Sequence, residues 1–272
     1  RLPVVRAGLL VARGEFDRAA EHLERAQSLY LPGFFPDTRP LPAMRARALI
    51  AGGRLDEARR WAASSGVEAV DPGAYVREFD LLTHARLVLA EHRTGIARVS
   101  IRDTRGVLDR LAAEAEERGR VGSQVEIRMV AALVAIASAD RPRAFRDLTV
   151  ALRVGVPAGF RRLFLDEGSP LQSLLSDYVA AGDDADAVGH ARSLLDDVTT
   201  GSRLPLPFGV EELSERELEV TRWLATDLSG PEIAARLVVS VNTLRTHTRH
   251  IFTKLDVRTR RAAVTRAREL GL

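Results

Sequence analysis

The chain has 272 residues, a net charge of +3 and no cysteine, so it has room for one large domain or a domain plus a smaller one and can form neither a disulfide nor a thiolate metal site. Apolar residues make up 46% but aromatics only 5%, so the core is mostly Leu, Val and Ala, a composition that favours helix. A single lysine, Lys254, excludes a P-loop, which needs Gly-Lys-Ser/Thr at a strand-to-helix turn, and with it the lysine-dependent kinase and Schiff-base mechanisms.

The chain begins at Arg1 with neither Met nor a signal-peptide pattern, and its longest wholly apolar run, 129–137, is too short to span a bilayer. The expectation is a fragment of a longer protein that is soluble, cytoplasmic and not membrane-bound. Residues 1–200 read as helix after helix, with apolar spacings of three and four and no alternating strand pattern. A weak repeat runs through them. Residues 9–19, with Leu9, Leu10, Gly14, Phe16 and Ala19, resemble 49–58, with Leu49, Ile50, Gly53, Leu55 and Ala58. A degenerate copy spans 133–144, with Asp140, Arg141 and Pro142 at the turn, and another runs from Ala85 through Gly95 with its second helix displaced to about 107–118. A period near 40 fits helical-hairpin solenoids, whose units cannot bury their faces alone and so stack around a concave surface. A nonrepetitive bundle is the alternative.

Residues 198–210 carry two prolines, two glycines and no helical period, which reads as a linker. Three helix starts follow. Ser214 with Glu217 forms a capping box, and the helix behind it runs to about Asp227 with Leu218, Thr221, Leu224 and Ala225 inward. Ser229 with Glu232 forms a second box, with Pro231 tolerated in the first turn and Ile233, Ala234 and Leu237 inward. Ser240 caps a third helix over about 241–255. The short connection between the second and third helices is what a helix-turn-helix requires. On the third helix, Leu244, Thr248, Ile251 and Leu255 share one face with His247 at its edge. The other face carries Asn242, Thr246, Arg249, His250 and Thr253, flanked by Arg245, a set suited to the major groove. The charge agrees: 207–239 hold three Arg against seven acids, whereas 240–272 hold eight Lys or Arg against Asp256 and Glu269.

Leu213-Ser214-Glu215-Arg216-Glu217, Glu232-Ile233-Ala234, Ser240-Val241-Asn242-Thr243-Leu244-Arg245-Thr246-His247, Ile251, Lys254-Leu255 and Val257 resemble the LuxR-type DNA-binding domain. Asp227, Gly230-Pro231 and Thr259 depart from that pattern. Arg45 to Ala58, Tyr75 to Arg86 and Gly159 to Leu175 resemble the helical-repeat domain of the large MalT-like regulators of the same superfamily. The resemblance implies an all-α chain: TPR-like stacked helical hairpins over 1–197, a linker over 198–206, and a four-helix LuxR-type helix-turn-helix domain over 207–272 with a fourth helix from about Arg260 to Leu270. It implies base reading by Arg245, Thr246 and Arg249, and contacts to the DNA backbone by Ser240, Asn242, Thr243, Lys254, Arg258 and Arg260. It also implies pairing through the fourth helix, where Val264 and Ala267 are either dimer contacts or plain core.

The expected function is therefore sequence-specific, transcription-regulating binding of double-stranded DNA, as a homodimer on inverted repeats. RNA polymerase is a possible further partner, and the repeats would sense a small molecule or a protein. No cofactor is expected in this chain, because members of the resembled family bind ATP through an upstream domain. The rivals are a sigma-factor-like promoter module and a helical-repeat scaffold for protein interaction. His247 and His250 lie three apart on one helix but lack further ligands nearby apart from Asp256, so no metal site is expected. No nucleophile elbow or metalloprotease helix is present, and the chain does not read as an enzyme.

Overall fold

A computed structural model of the chain describes residues 2–30, 37–69, 75–96, 99–200, 215–226, 228–237, 239–255, 257 and 259–269. It divides into two compact units, Arg1–Leu204 and Pro205–Leu272, and among the described residues every regular element is helical. No helix among them is long and apolar enough to cross a membrane.

The first unit holds α1 (Leu2–Ala12), α2 (Phe16–Ser28), α3 (Leu41–Ala51), α4 (Leu55–Ser65), α5 (Glu78–Arg93), α6 (Ile101–Glu117), α7 (Val121–Ala137), α8 (Arg141–Gly155), the short α9 (Arg161–Leu165), α10 (Ser169–Ala181) and α11 (Ala185–Thr200). They pair as hairpins, α1 with α2, α3 with α4, α5 with α6, α7 with α8 and α10 with α11, and the leading helices α3, α5, α7 and α10 lie in sequence against one another. One turn recurs. Gly14, Gly53 and Gly95 all have φ between 73° and 77°, and the next residue's N–H reaches back to the helix: Glu15 to Leu10 O at 2.9 Å, Arg54 to Leu49 O at 2.8 Å, Ile96 to Glu91 O at 3.0 Å. This left-handed closure satisfies carbonyls that a helix end leaves open, and glycine enters it without a Cβ penalty. The fourth copy uses Ala139 at φ 59°, where Asp140 N–H bonds Ala135 O at 2.9 Å and the Asp140 side chain accepts from Arg143 N–H. Alanine there carries roughly 1 kcal/mol of strain. That substitution is why this copy reads as degenerate in the sequence.

Two expectations shift. The displaced second helix after Gly95 starts earlier than 107, at Ile101, because the Ser100 hydroxyl caps Arg102 N–H at 3.2 Å. The terminal helix α11 continues to Thr200, three residues into the stretch read as linker. Its last turns are held by Arg161, which donates to Ser193 Oγ and to Asp197. The apolar run 129–137 belongs to α7, which is flanked by α5, α6, α8 and α10, so Ile127, Met129, Val130, Ala132 and Val134 are all fully buried.

Along the leading helices runs a ladder of charges. Arg47 of α3 stacks 3.6 Å from the Phe79 ring centre and donates to Thr83 Oγ1 at 2.8 Å and Glu126 Oε1 at 2.6 Å. Arg86 of α5 lies 3.1 Å from the same Glu126 oxygen and also donates to Glu167, in the turn between α9 and α10. Three consecutive hairpins and the turn leading into α10 are thereby linked through side chains that are at most 22% exposed. Burial alone would raise the Glu126 carboxyl, but Arg47 and Arg86 outweigh it and hold the group at about 2. Burial draws Arg47 down to about 10, so it stays charged at neutral pH.

In the second unit, α12 (Glu215–Leu224), α13 (Gly230–Arg236), α14 (Val241–Lys254) and α15 (Arg260–Glu269) share a small core that includes Val220, Leu224, Ile233, Ala234, Leu244 and Ile251. On α12 the inward set differs from the expected one. Glu217, Val220, Thr221 and Leu224 are buried, Leu218 is half-buried and Ala225 is exposed. The helix packs on both α14 and α15, and its covered stripe is rotated towards Glu217 and Val220. The Ser214 box and Asp227 lie outside the described residues.

The ladder has a pH signature. A carboxyl lowered to about 2 from an ordinary value of 4.5 stabilises the fold above the ordinary value and ceases to as pH falls towards 2. Glu126→Gln should therefore cost about 3 kcal/mol at pH 7. In urea titrations of the two proteins, the difference should close between pH 4.5 and pH 2. A pH-independent difference would remove the ion pairs from the explanation.

Candidate nucleic-acid interface

The site is built on α14. Its start is fixed by Ser240, whose Oγ accepts from Thr243 N–H at 3.0 Å and lies 2.8 Å from Thr243 Oγ1. Leu244, Ile251 and Leu255 are buried and Thr248 and His247 half-buried, which orients the helix. The opposite face is exposed over Val241, Asn242, Arg245, Thr246, Arg249 and His250. Thus Arg245, Thr246 and Arg249 share one exposed surface, with Ser240, Asn242 and Thr243 exposed at its N-terminal end. Thr246 Oγ1 donates to Asn242 O at 3.1 Å. Arg258 and the side chain of Thr253 lie outside the described residues.

The support is equally specific. At the N-terminus of α13 the Ser229 N–H donates to Glu232 Oε2 at 2.8 Å, and the Ser229 hydroxyl donates to the same oxygen at 2.6 Å. These bonds hold the Glu232 carboxyl below its ordinary value, so the capping group is ionised at neutral pH. Arg216 of α12 donates to Leu237 O at 2.7 Å, closing the end of α13 onto α12.

Two residues expected at the DNA backbone have partners within the domain. Lys254 Nζ donates to Glu217 Oε2 at 2.9 Å, and that carboxylate is 6% exposed. Arg260 lies at the start of α15, and its guanidinium donates to Leu224 O at 2.9 Å, Leu228 O at 2.6 Å and Thr226 O at 2.5 Å. Those carbonyls belong to the end of α12 and the turn into α13, so Arg260 caps one helix from another. The sequence contains the signal for the first pair, since a buried-face Glu217 and the lone lysine both sit on the core side of their helices. The Arg260 cap leaves no such trace, because its acceptors are backbone. On α15, Ala267 is 4% exposed and packs inside its own domain, whereas Val264 is half-buried. Among the described residues, no group of three His, Asp or Glu is placed to hold a metal ion.

A groove of about 690 Å³ is lined by Leu224, Ile233, Val241, Phe252 and Val257 together with Arg245, Arg249 and Arg260.

Residues 2–181 match the family model of the MalT-like TPR region, well over half of the chain. The chain belongs to that family. Residues 211–267 match the model of bacterial regulatory proteins of the luxR family, so the second unit is a LuxR-type helix-turn-helix domain. The HTH-type transcriptional regulator MalT of Vibrio cholerae is 26% identical over 286 residues, covering 97% of this chain and 31% of its own length. The chain therefore spans about a third of that MalT-like relative. RpaR, a quorum sensing-dependent transcriptional regulator of Rhodopseudomonas palustris, is 33% identical over 48% of this chain and 55% of its own length. The nitrate/nitrite response regulator NarP of Escherichia coli is 46% identical over 21% of this chain and 28% of its own. MalT and RpaR are transcriptional regulators by name, and NarP is a response regulator by name. No solved structure matches the chain.

The bonds of Arg260 separate framing from DNA contact. Arg260→Gln should lower the stability of the second unit by about 2 kcal/mol, the scale of hydrogen bonds from a charged group. It should leave the salt dependence of DNA binding by the folded protein unchanged. Loss of about one unit of salt slope with unchanged thermal unfolding would make Arg260 a phosphate contact instead.

Proposed function

We propose that this chain is the sensing and reading part of a transcription regulator that binds double-stranded DNA through α14. The observation that carries the reading is the exposed face of that helix, where two guanidiniums, a threonine and an asparagine stand together at a capped N-terminus. Arg245 and Arg249 suit the O6 and N7 acceptors of guanine, and each good bidentate pair discriminates by roughly 1–3 kcal/mol. Thr246 lies between them. Ser240, Asn242 and Thr243 sit where the helix N-terminus favours a phosphate. Lys254 and Arg260 hold the frame that presents this face.

One such reader contacts few base pairs. Two copies on an inverted repeat gain affinity through effective concentration, and the half-buried Val264 of α15 is the contact we assign to that pairing. The helical hairpins supply the surface for an effector, a small molecule or a protein, and RNA polymerase is the downstream partner. The reading needs no cofactor or catalytic group within the chain, and it places the protein with the chromosome in the cytoplasm. The names of the relatives support the regulatory part of this reading.

Selection of bound duplexes from random DNA with the whole chain, followed by a salt series on the winner, tests it. Affinity should fall steeply with salt as phosphate neutralisation releases counterions, and Arg249→Ala should relax the preference at one base position. A flat series, or no enriched sequence, removes DNA from the function. Pairing is tested separately by sedimentation with an inverted-repeat duplex. Wild type should load two copies together, and folded Val264→Arg should load them independently; equal behaviour of the two proteins would move the pairing surface elsewhere.

A further inference from the structure

Val241 is the first residue of α14 and is 38% exposed. Every other exposed residue on that side of the helix is polar: Asn242, Arg245, Thr246, Arg249 and His250. A lone surface valine is ordinary. This one lines the same groove as Phe252 and Val257, and it stands one helical turn ahead of Arg245, which puts the two side chains side by side. The first turn of a recognition helix comes closest to base edges. An isopropyl group there offers no hydrogen bond. The one feature of the major groove that it complements is the 5-methyl group of thymine, since the other edges present donors and acceptors.

We propose that Val241 is a specificity-determining residue that reads a thymine methyl next to the base pair contacted by Arg245. This rests on the DNA-reading function above and deepens it. The apolar lining takes the methyl-bearing edge, and the guanidiniums of Arg245 and Arg249, which line the same groove, meet the guanine edge and the phosphates that flank it. The recognised group is a methyl on C5 of a pyrimidine, so 5-methylcytosine carries it as well as thymine and uracil lacks it. Val241 then contributes sequence preference without adding to the salt dependence, in contrast to its arginine neighbours.

The test uses the whole chain on a duplex selected from random DNA, with each thymine replaced singly by deoxyuridine. One uracil per half-site should weaken binding about fourfold, the factor carried by burying a single methyl group. In Val241→Ala the thymine-to-uracil ratio at that position should fall to near one, while the guanine preference and the salt slope stay as in wild type. Val241→Ile should keep the ratio, and circular dichroism checks that both variants are folded. A ratio that survives in Val241→Ala overturns the proposal. So does a methyl effect that vanishes in Thr246→Ser instead, or the absence of any thymine with a methyl penalty. Sequence-selective, salt-dependent binding with neutral uracils would leave the DNA-reading function standing and remove only this residue's part in it. No selective binding at all would remove both.

Discussion

A hairpin of two short amphipathic helices has more apolar surface than its own partner helix can cover. That constraint shapes the whole of the first unit. Each hairpin has to return the chain tightly, and in the first four the turn that does so uses a left-handed residue at Gly14, Gly53, Gly95 and Ala139. The remaining apolar face then has to meet the next hairpin, so the leading helices line up and their polar residues converge. Arg47, Arg86, Glu126 and Glu167 meet there because stacking leaves them nowhere else to go. Their mutual pairing is what makes burial of four charges tolerable. Since each rung joins a different pair of helices, the ladder also fixes how successive hairpins are set against one another.

In the second unit the same chemistry is used differently. Arg216, Lys254 and Arg260 bind carbonyls and a carboxylate of the domain itself and hold four short helices that share a core of modest size. Arg245 and Arg249 are exposed on one face of α14. A small domain with little apolar area gains from charged donors that satisfy helix ends. It can then present a rigid helix outward. The basic character of 240–272 is thus partly structural, and net charge alone overstates how many side chains are available to phosphates.

Much of this was legible in the sequence, for physical reasons. The helix-turn-helix follows from local chemistry: Ser229 with Glu232, Ser240 before Val241, and apolar residues at helical spacing on α14. Each acts within a turn or two, so the sequence states it directly. The repeat is legible at Gly14 and Gly53 because glycine marks the left-handed position, and blurred at Ala139 because alanine occupies the same backbone. What escaped the sequence acts at long range. The Arg260 cap joins residues more than thirty positions apart through backbone acceptors, which have no residue-type signature. The ladder joins helices across three hairpins, and nothing local distinguishes Arg47 from the many arginines on the surface. The inward face of α12 differs from the expected one because its contacts with α14 and α15 rotate the buried stripe towards Glu217 and Val220, a tertiary effect that local apolar spacing does not carry.

The central claim is that the exposed face of α14 lies in the major groove against guanine edges. Methylation interference measures this directly. Duplexes from the selected sequence are methylated sparsely at guanine N7 in the major groove and adenine N3 in the minor groove, then partitioned by binding to the whole chain. The account predicts that N7 methylation at a few guanines excludes a duplex from the bound fraction, and that Arg249→Ala tolerates one of those methyl groups. Interference confined to adenine N3, or a pattern that Arg249→Ala does not change, would contradict it.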